Sequence, residues 1–263
     1  MARRDFVVFG LVVLYALLSP LLLFTSVRAM PILAPLAPFV TIIGGVGDTL
    51  VVLLALRASR IALHSIGWTL PALGRALIWT GVAWFSWGVV LGLFMLVRPG
   101  YTVGVTSVRS ILIFYFFVGV PEELLFRGYL FTWLHRFFQG KVARGWATLW
   151  AAMVSSLLFA LFHVPQRLLV ARMTWSIALL TNLAGVFAIG LFSCWLFFRS
   201  KNIWWVGMYH GGSDAPLLSL GREDLLTAIG MAVVYLLLTE VMHKRGVGGV
   251  GKEEKASLIA ERS

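Results

Sequence analysis

Charged residues are scarce in this chain of 263 residues. Asp, Glu, Lys and Arg make up 13% of it, against ~25% in soluble proteins. Hydrophobic residues make up 60%, and the mean hydropathy is +0.91. A soluble domain of this size could not cover its surface with so few polar groups, which excludes a soluble enzyme, a disordered chain and a coiled coil. The composition predicts an all-α, polytopic membrane protein.

Cysteine and acidic residues are also scarce. The single cysteine, Cys194, lies in an apolar segment, which excludes an internal disulfide and favours a small buried residue over a catalytic thiol. Only 11 residues are acidic, against 22 Lys and Arg. The basic residues are spread over short gaps between apolar segments, as in loops at a lipid surface, so we expect no nucleic-acid partner. The motifs G-x-S-x-G and H-E-x-x-H and a phosphate-binding loop are absent, which argues against a serine lipase, a zincin and an ATPase.

Eight apolar segments have the length of about 20 residues that a helix needs to cross a bilayer. We predict transmembrane helices at about 6–27, 37–56, 76–97, 108–134, 146–164, 177–198, 203–220 and 225–242. The second is the weakest candidate because it contains Asp48 and several glycines. The seventh is expected to break near Gly211, Gly212 and Pro216.

The basic residues also predict an orientation in the membrane. With the N-terminus inside, alternation over eight spans assigns most Lys and Arg to the inner side, so both termini are expected in the cytoplasm of a bacterial or archaeal cell. We predict one transmembrane domain over 1–245 and a mobile cytoplasmic tail at 246–263.

Two adjacent carboxylates, Glu122 and Glu123, lie in the middle of the fourth span, where each is costly. Glu123 and Arg127 are four residues apart, in the acid-first order that favours an ion pair on one helix face. Glu122 is rotated by about 100° from Glu123. It is left to face a cavity, where a poorly solvated carboxylate suits a proton acceptor. The alternative is an ion-pair cluster that only holds two helices together.

Two histidines also lie in apolar segments. His163 follows Phe159 by one helical turn at the end of the fifth span, and His210 precedes Asp214 by the same spacing in the seventh. The two glycines between His210 and Asp214 allow either a close helix approach or a break that lines a cavity. Each histidine alone is typical of an interhelical hydrogen bond.

Three polar clusters on three apolar helices indicate one site. We expect Glu122, His163, His210 and Asp214 to converge on a water-accessible cavity. Such a set can activate water, with the carboxylate as base and histidine as donor to a developing oxyanion, or it can bind a divalent metal such as zinc. Both chemistries lead to hydrolysis of an amide in or beside the bilayer.

The clusters, in this order, resemble the motifs of the CPBP family, which comprises CAAX prenyl endopeptidases of the Ras-converting type and bacteriocin-processing and self-immunity relatives. The family motifs are E-E-x-x-x-R, F-x-x-x-H and H-x-x-x-[ND], and here they read Glu122-Glu123-Leu-Leu-Phe-Arg127, Phe159-Ala-Leu-Phe-His163 and His210-Gly-Gly-Ser-Asp214. The eight predicted helices match the architecture of the family.

The resemblance implies an intramembrane endopeptidase with its catalytic core in 108–220. Its substrate would be a membrane-associated protein or peptide, prenylated or processed near its C-terminus. The implied roles are water activation by Glu122 and His163, oxyanion stabilisation by His210 and Asp214, and orientation of the site by Glu123, Arg127 and Phe159. We expect no cofactor; if zinc is bound, its ligands would be Glu122, His163 and His210.

Asp214 departs from the pattern, because many relatives carry Asn there. An Asn side chain can donate a hydrogen bond to an oxyanion, whereas an ionised Asp cannot. Asp214 must then be protonated, orient His210 instead, or bind a metal.

Three other functions stay open at this point. The chain could be a proteolytically inactive immunity or scaffold member of the same family. It could be a haem protein with His163 and His210 as axial ligands. It could also be a transporter with a proton-linked glutamate.

Overall fold

The computed structural model of the chain describes residues 3–29, 39–220 and 224–246. Over these residues the helices are α1 (Arg3–Ala29), α2 (Val40–Ala58), α3 (Leu70–Val97), α4 (108–139), α5 (Arg144–Phe162), α6 (Ile177–Ser200), α7 (Ile203–Asp214) and α8 (Asp224–Lys244). Two three-residue strands, β1 (Val103–Val105) and β2 (Leu218–Leu220), form an antiparallel pair. The all-α fold class is confirmed. Apart from Gly246, the predicted tail at 246–263 lies outside the described residues.

Helix α4 alternates between α and π geometry without interruption. It is α-helical at Val108–Ile113, Val120–Glu123 and Thr132–Gln139, and π-helical at Phe114–Gly119 and Leu124–Phe131. The π stretches flank the two adjacent glutamates. Single π turns inside α-helices are frequent at functional sites.

Six of the described helices are long and apolar enough to cross a membrane, namely α1, α2, α3, α5 with its extension to Val170, α6 and α8. Large apolar side chains such as Leu54 and Phe85 are exposed on them, as expected of helices in lipid. The chain is an integral membrane protein. Helix α7 has only 12 residues, and α4 contains three charged side chains in its middle. The number of eight spans therefore stays a prediction.

The seventh predicted span differs from the structure. Helix α7 runs through both Gly211 and Gly212 and ends at Asp214, so the expected break occurs just before Pro216 and not at the glycines. Residues 218–220 form a strand instead of a helical turn. The helix stops because Pro216 has no N–H and disfavours α geometry in the residue before it.

The ends of two other spans also differ. Helix α3 begins at Leu70, before the predicted 76, because the Thr69 side chain caps it by accepting a hydrogen bond from Ala72 N at 3.3 Å. The fifth span does not stop at Pro165 but continues as a π-helix over Gln166–Val170. His163 therefore lies within this helical segment rather than at its end.

The chain divides into two compact units. Unit 1 is Met1–Ala62 with Pro121–Trp195, and unit 2 is Leu63–Val120 with Leu196–Ser263. The single domain over 1–245 stays a prediction.

Polar side chains join the helices of unit 1. The Tyr15 hydroxyl of α1 donates to Asp48 Oδ1 of α2 at 2.9 Å, and Asp48 is buried. Ser59, after α2, shares a 3.0 Å hydrogen bond with the Tyr129 hydroxyl of α4. Ser155 of α5 donates to the Phe126 carbonyl of α4 at 2.7 Å. Each bond satisfies a buried polar group that lipid could not satisfy.

Unit 2 is held by asparagine and tryptophan side chains. Asn202 caps α7 by accepting from the backbone N–H of Trp204 and Trp205, and its amide donates to the Ala72 carbonyl of α3 at 3.0 Å. The Trp205 ring stacks on Tyr235 of α8 at 4.2 Å between centroids. These interactions fix α7 against α3 and α8.

Glycines bring α7 into backbone contact with the first half of α4. A Cβ on Gly211 would lie 2.5 Å from Tyr115 Cα and 2.6 Å from the Phe114 carbonyl oxygen. A Cβ on Gly207 would lie 2.8 Å from Val120 Cα, and Gly119 faces both glycines. Gly211 therefore allows α7 and α4 to approach closely, which is one of the two roles that the sequence suggested for the glycines between His210 and Asp214.

We predict that Gly211→Ala destabilises the protein, because the new methyl meets backbone atoms that cannot rotate away. Overpacking of this kind costs about 1–3 kcal/mol, so the melting temperature in detergent should fall by several degrees. Gly185→Ala in α6 is the matched control, since its Cβ would meet nothing within 4 Å, and alanine is the better helix former. Equal melting temperatures for the two variants would contradict the close approach.

Candidate active site

Glu123 and Arg127 form a fully buried ion pair on α4. Arg127 Nη1 lies 3.2 Å from Glu123 Oε1, and Nε lies 3.1 Å from Oε2. The first contact is a hydrogen bond that Nη1 donates, and the second is an ionic contact between two charged groups. The structure therefore contains the pair that helical spacing predicts.

The Arg127 guanidinium also binds two other helices of unit 1. Its Nη2 donates to the Gly190 carbonyl of α6 at 2.9 Å. Its Cζ lies 4.4 Å from the centroid of the Phe159 ring of α5, which is a cation–π contact. A Cβ on Gly190 would lie 3.2 Å from Nη2 and 2.9 Å from Ser156 Cβ, so this position favours glycine.

His163 is oriented by the end of the α-helical part of α5. Its backbone N–H donates to the carbonyl of Ala160, which leaves the carbonyl of Phe159 without its usual helical donor. The imidazole Nδ1 occupies that place, 2.9 Å from the Phe159 oxygen. A carbonyl only accepts, so Nδ1 carries the proton and the neutral ring has its lone pair on Nε2. Phe159 and Phe162 pack edge-on against the ring.

Glu122 and His163 face each other across unit 1. His163 Nε2 lies 3.8 Å from Glu122 Oε2, and the side chains are 12% and 14% exposed, respectively. This distance is longer than a hydrogen bond, and the Oε2 atom itself is buried although the Glu122 side chain is partly exposed. Both groups can accept a hydrogen bond, so a water molecule bound between them would donate one hydrogen to each.

His210 and Asp214 are neighbours on α7 in unit 2. His210 Nε2 lies 3.6 Å from Asp214 Oδ2. The His210 side chain is 6% exposed, whereas that of Asp214 is 42% exposed. Asp214 lines a cavity of about 170 Å³ together with Ser213, Pro216 and Thr227. Asp214 thus presents an accessible carboxylate to this cavity, and the buried imidazole of His210 lies beside that carboxylate.

The predicted site residues thus fall into two pairs, Glu122 with His163 in unit 1 and His210 with Asp214 in unit 2. Their convergence on one cavity stays a prediction. Within neither unit do three His, Cys, Asp or Glu side chains come together as metal ligands among the described residues.

Sequence reasoning missed the residues that position these pairs. Gly190 accepts from Arg127, and Thr132 donates from its hydroxyl to the Arg127 carbonyl at 3.0 Å, where the π stretch ends. The sequence around Gly190 and Thr132 does not indicate these contacts. Gly190 acts through a backbone carbonyl that every residue has, and a single threonine in a helix has no characteristic pattern. Gly207 and Gly211 did have one, since G-x-x-x-G on an apolar helix indicates close packing.

Comparison with known proteins supplies independent evidence. Residues 104–215 match the family model described as Rce1-like, type II CAAX prenyl endopeptidase. No curated protein and no solved structure matches the chain. The matched region contains all three motifs and confirms the resemblance drawn from them. Over residues 104–215 the chain is thus similar to the Rce1-like type II CAAX prenyl endopeptidases.

Proposed function

We propose that the chain is an intramembrane endopeptidase in which Glu122 and His163 activate the attacking water directly. The observation that carries this proposal is the 3.8 Å separation of His163 Nε2 and Glu122 Oε2, with both groups partly exposed. The imidazole is held in one tautomer by Phe159, and its acceptor atom is turned toward the carboxylate. Two acceptors at this spacing bind one water through its two hydrogens.

The proposed reaction begins with proton transfer to Glu122. Glu122 takes a proton from the water as its oxygen attacks the carbonyl carbon of the scissile peptide bond. The tetrahedral intermediate carries the charge on the former carbonyl oxygen. Its C–N bond then breaks as Glu122 returns the proton to the leaving nitrogen, which yields a carboxylic acid and an amine. His163 positions the water through Nε2.

His210 and Asp214 supply the oxyanion site in this proposal. A buried imidazole N–H is worth far more to a developing oxyanion than a solvated donor. In this proposal Asp214 is protonated and acts as a second donor, at the position where many members of the family carry Asn. If zinc is bound instead, Glu122, His163 and His210 would hold it, and it would polarise the carbonyl as a Lewis acid.

The proposed substrate is a membrane-associated protein or peptide that is prenylated or processed near its C-terminus, as the family description suggests. The proposed orientation places both termini in the cytoplasm. A farnesylated peptide ending in a C-A-A-X tetrapeptide tests the substrate class, with the same peptide lacking the farnesyl group as its control. Mass spectrometry of the released C-terminal fragment reports cleavage.

We predict opposite effects for the two adjacent glutamates. Glu122→Gln removes the proton acceptor, so it should abolish cleavage in a protein that melts like the wild type. Glu123→Gln weakens the buried partner of Arg127, and breaking such a pair costs about 3–5 kcal/mol, so it should mainly lower yield and melting temperature. Cleavage rates measured at matched concentrations of folded protein distinguish the catalytic glutamate from the structural one. A folded, inactive Glu123→Gln beside an active Glu122→Gln would reverse the assignment.

Convergence of the two pairs can be tested by the additivity of single changes. If Glu122 and His210 act on the same substrate carbonyl, His210→Ala should lower the rate of the wild type by about 10²–10³. It should lower the residual rate of Glu122→Gln far less, because residues that act as a unit are not additive. Independent, multiplicative losses would show that the two residues do not share one site.

The role of Asp214 is tested by Asp214→Asn, which keeps the shape and restores a donor. We expect this variant to retain much of the activity at neutral pH and to lose any decline that ionisation of Asp214 causes as pH rises. A metal ligand would behave differently, since Asn is a poorer anionic ligand and activity would fall and depend on added metal. Stoichiometric zinc in the active protein, with activity lost on chelation and restored by zinc, would overturn the donor role.

A further inference from the structure

The register of the two-stranded sheet determines which residues form hydrogen-bonded pairs and which form non-hydrogen-bonded pairs. Thr106 N donates to the Leu217 carbonyl at 3.2 Å, directly after the register pair Val105↔Leu218. Bonded and non-bonded pairs alternate along an antiparallel ladder, so Gly104 and Ser219 form the next bonded pair. The backbone N–H and C=O groups of Val103 and Val105 therefore point away from β2.

The outer edge of β2 is already occupied. Trp87 Nε1 of α3 donates to the Leu218 carbonyl at 3.1 Å, and the Leu220 N–H donates to Thr227 Oγ1 of α8 at 3.0 Å. On β1, no described residue binds the outward groups of Val103 and Val105. Val105 is 72% exposed. The sheet thus has one open edge among the described residues, and it belongs to β1.

The strand pair is held by a helix that is long and apolar enough to cross a membrane, where free backbone groups would be costly. Helix α3 is about 42 Å long, which exceeds the hydrocarbon thickness of about 30 Å. Trp87, which holds β2, comes ten residues before the end of α3 at Val97, or about 15 Å along the axis. Non-helical backbone at membrane depth is tolerated only beside protein or in a water-filled cavity. Lipid chains cannot cover this edge, since they offer neither donors nor acceptors.

We propose that an extended segment of the substrate adds to β1 as a third strand. An extended peptide presents N–H and C=O groups of alternate residues along one edge, at the spacing of Val103 and Val105. Strand addition also exposes the peptide bond, whereas a helical substrate keeps its carbonyls bonded within the helix. This inference rests on the proposed function, because its occupant is the peptide that is cleaved.

The edge is connected to the site residues of unit 2 through Thr106. The Thr106 hydroxyl donates to the Pro216 carbonyl, and its N–H donates to the Leu217 carbonyl. Both acceptors belong to the segment that directly follows Asp214. A peptide bound to β1 is therefore held by the same backbone that ends α7.

The first test is an N-methyl scan with the Glu122→Gln protein, which keeps the full chain and is expected not to cleave. The probe is the farnesylated C-A-A-X peptide with one backbone N–H at a time replaced by N–CH₃, and binding is measured by fluorescence anisotropy. Strand addition predicts losses of about tenfold or more at every second residue. A flat scan, or no binding of the parent peptide, would overturn the proposal.

The second test removes a donor from the protein edge. Val105→Pro deletes the outward N–H without deleting a β1–β2 hydrogen bond, because Val105 is in a non-bonded pair. Its affinity should fall about tenfold below that of Val105→Ala, which keeps the N–H. Thr174→Pro, in an exposed loop of unit 1, is the control for proline itself. Equal affinities of Val105→Pro and Val105→Ala would overturn the proposal, as would a dimer of the wild type that Val105→Pro dissociates.

Cleavage of the same peptide by the wild type separates this inference from the proposed function. Cleavage combined with a flat N-methyl scan would leave the protease standing and remove strand addition. A scan with a period of two residues and no cleavage would leave the docking edge and remove the proposed reaction. The N-methyl scan uses protein without changes in β1, so it still tests strand addition if Val105→Pro does not fold.

Discussion

The ion pair between Glu123 and Arg127 is the interaction on which the site in unit 1 depends. A buried charge without a partner costs several kcal/mol, so each of these two groups stays buried only because the other is present. The guanidinium also binds the Gly190 carbonyl and covers the ring of Phe159. Phe159 in turn supplies the carbonyl that orients His163. The Arg127 guanidinium thus contacts residues of α4, α5 and α6. These contacts hold the helices that position His163 opposite Glu122.

The ion pair could be predicted from the sequence because its cause is local. Residues four apart on a helix lie on one face wherever the helix is placed, and the acid-first order is favourable. The divergence of Glu122 from Glu123 has the same origin, since Val120–Glu123 keeps α geometry between two π stretches. The six apolar helices were predictable for a similar reason, because length and composition alone determine whether a segment can cross the bilayer.

The strands and the path beyond Pro165 could not be predicted, because their causes are not local. Each strand has only three residues, which is too short for an alternating hydrophobic pattern to be recognised. Strand β2 is held by Trp87 of α3 and Thr227 of α8, and neither residue belongs to the strand pair. Proline removes one N–H from the helical ladder, which predicts an end. At His163 the imidazole forms a hydrogen bond with the carbonyl of Phe159 that lacks its helical donor. The chain then continues as a π-helix to Val170. Tertiary context therefore overrides the local signal at both places.

The extent of the family match separates what motifs can identify from what they cannot. The match begins at Gly104, inside β1, and ends at Ala215, one residue after Asp214. The spacing within each motif is rigid because it is helical, so a few residues on each helix suffice to recognise the resemblance to the family. The placement of α7 and β2 is different, since it depends on side chains of α3 and α8 that lie outside the match, such as Trp87 and Tyr235. Some of the side chains that position α7 and β2 therefore lie outside the part of the chain that resembles the family, and proteins that share the motifs can differ in them.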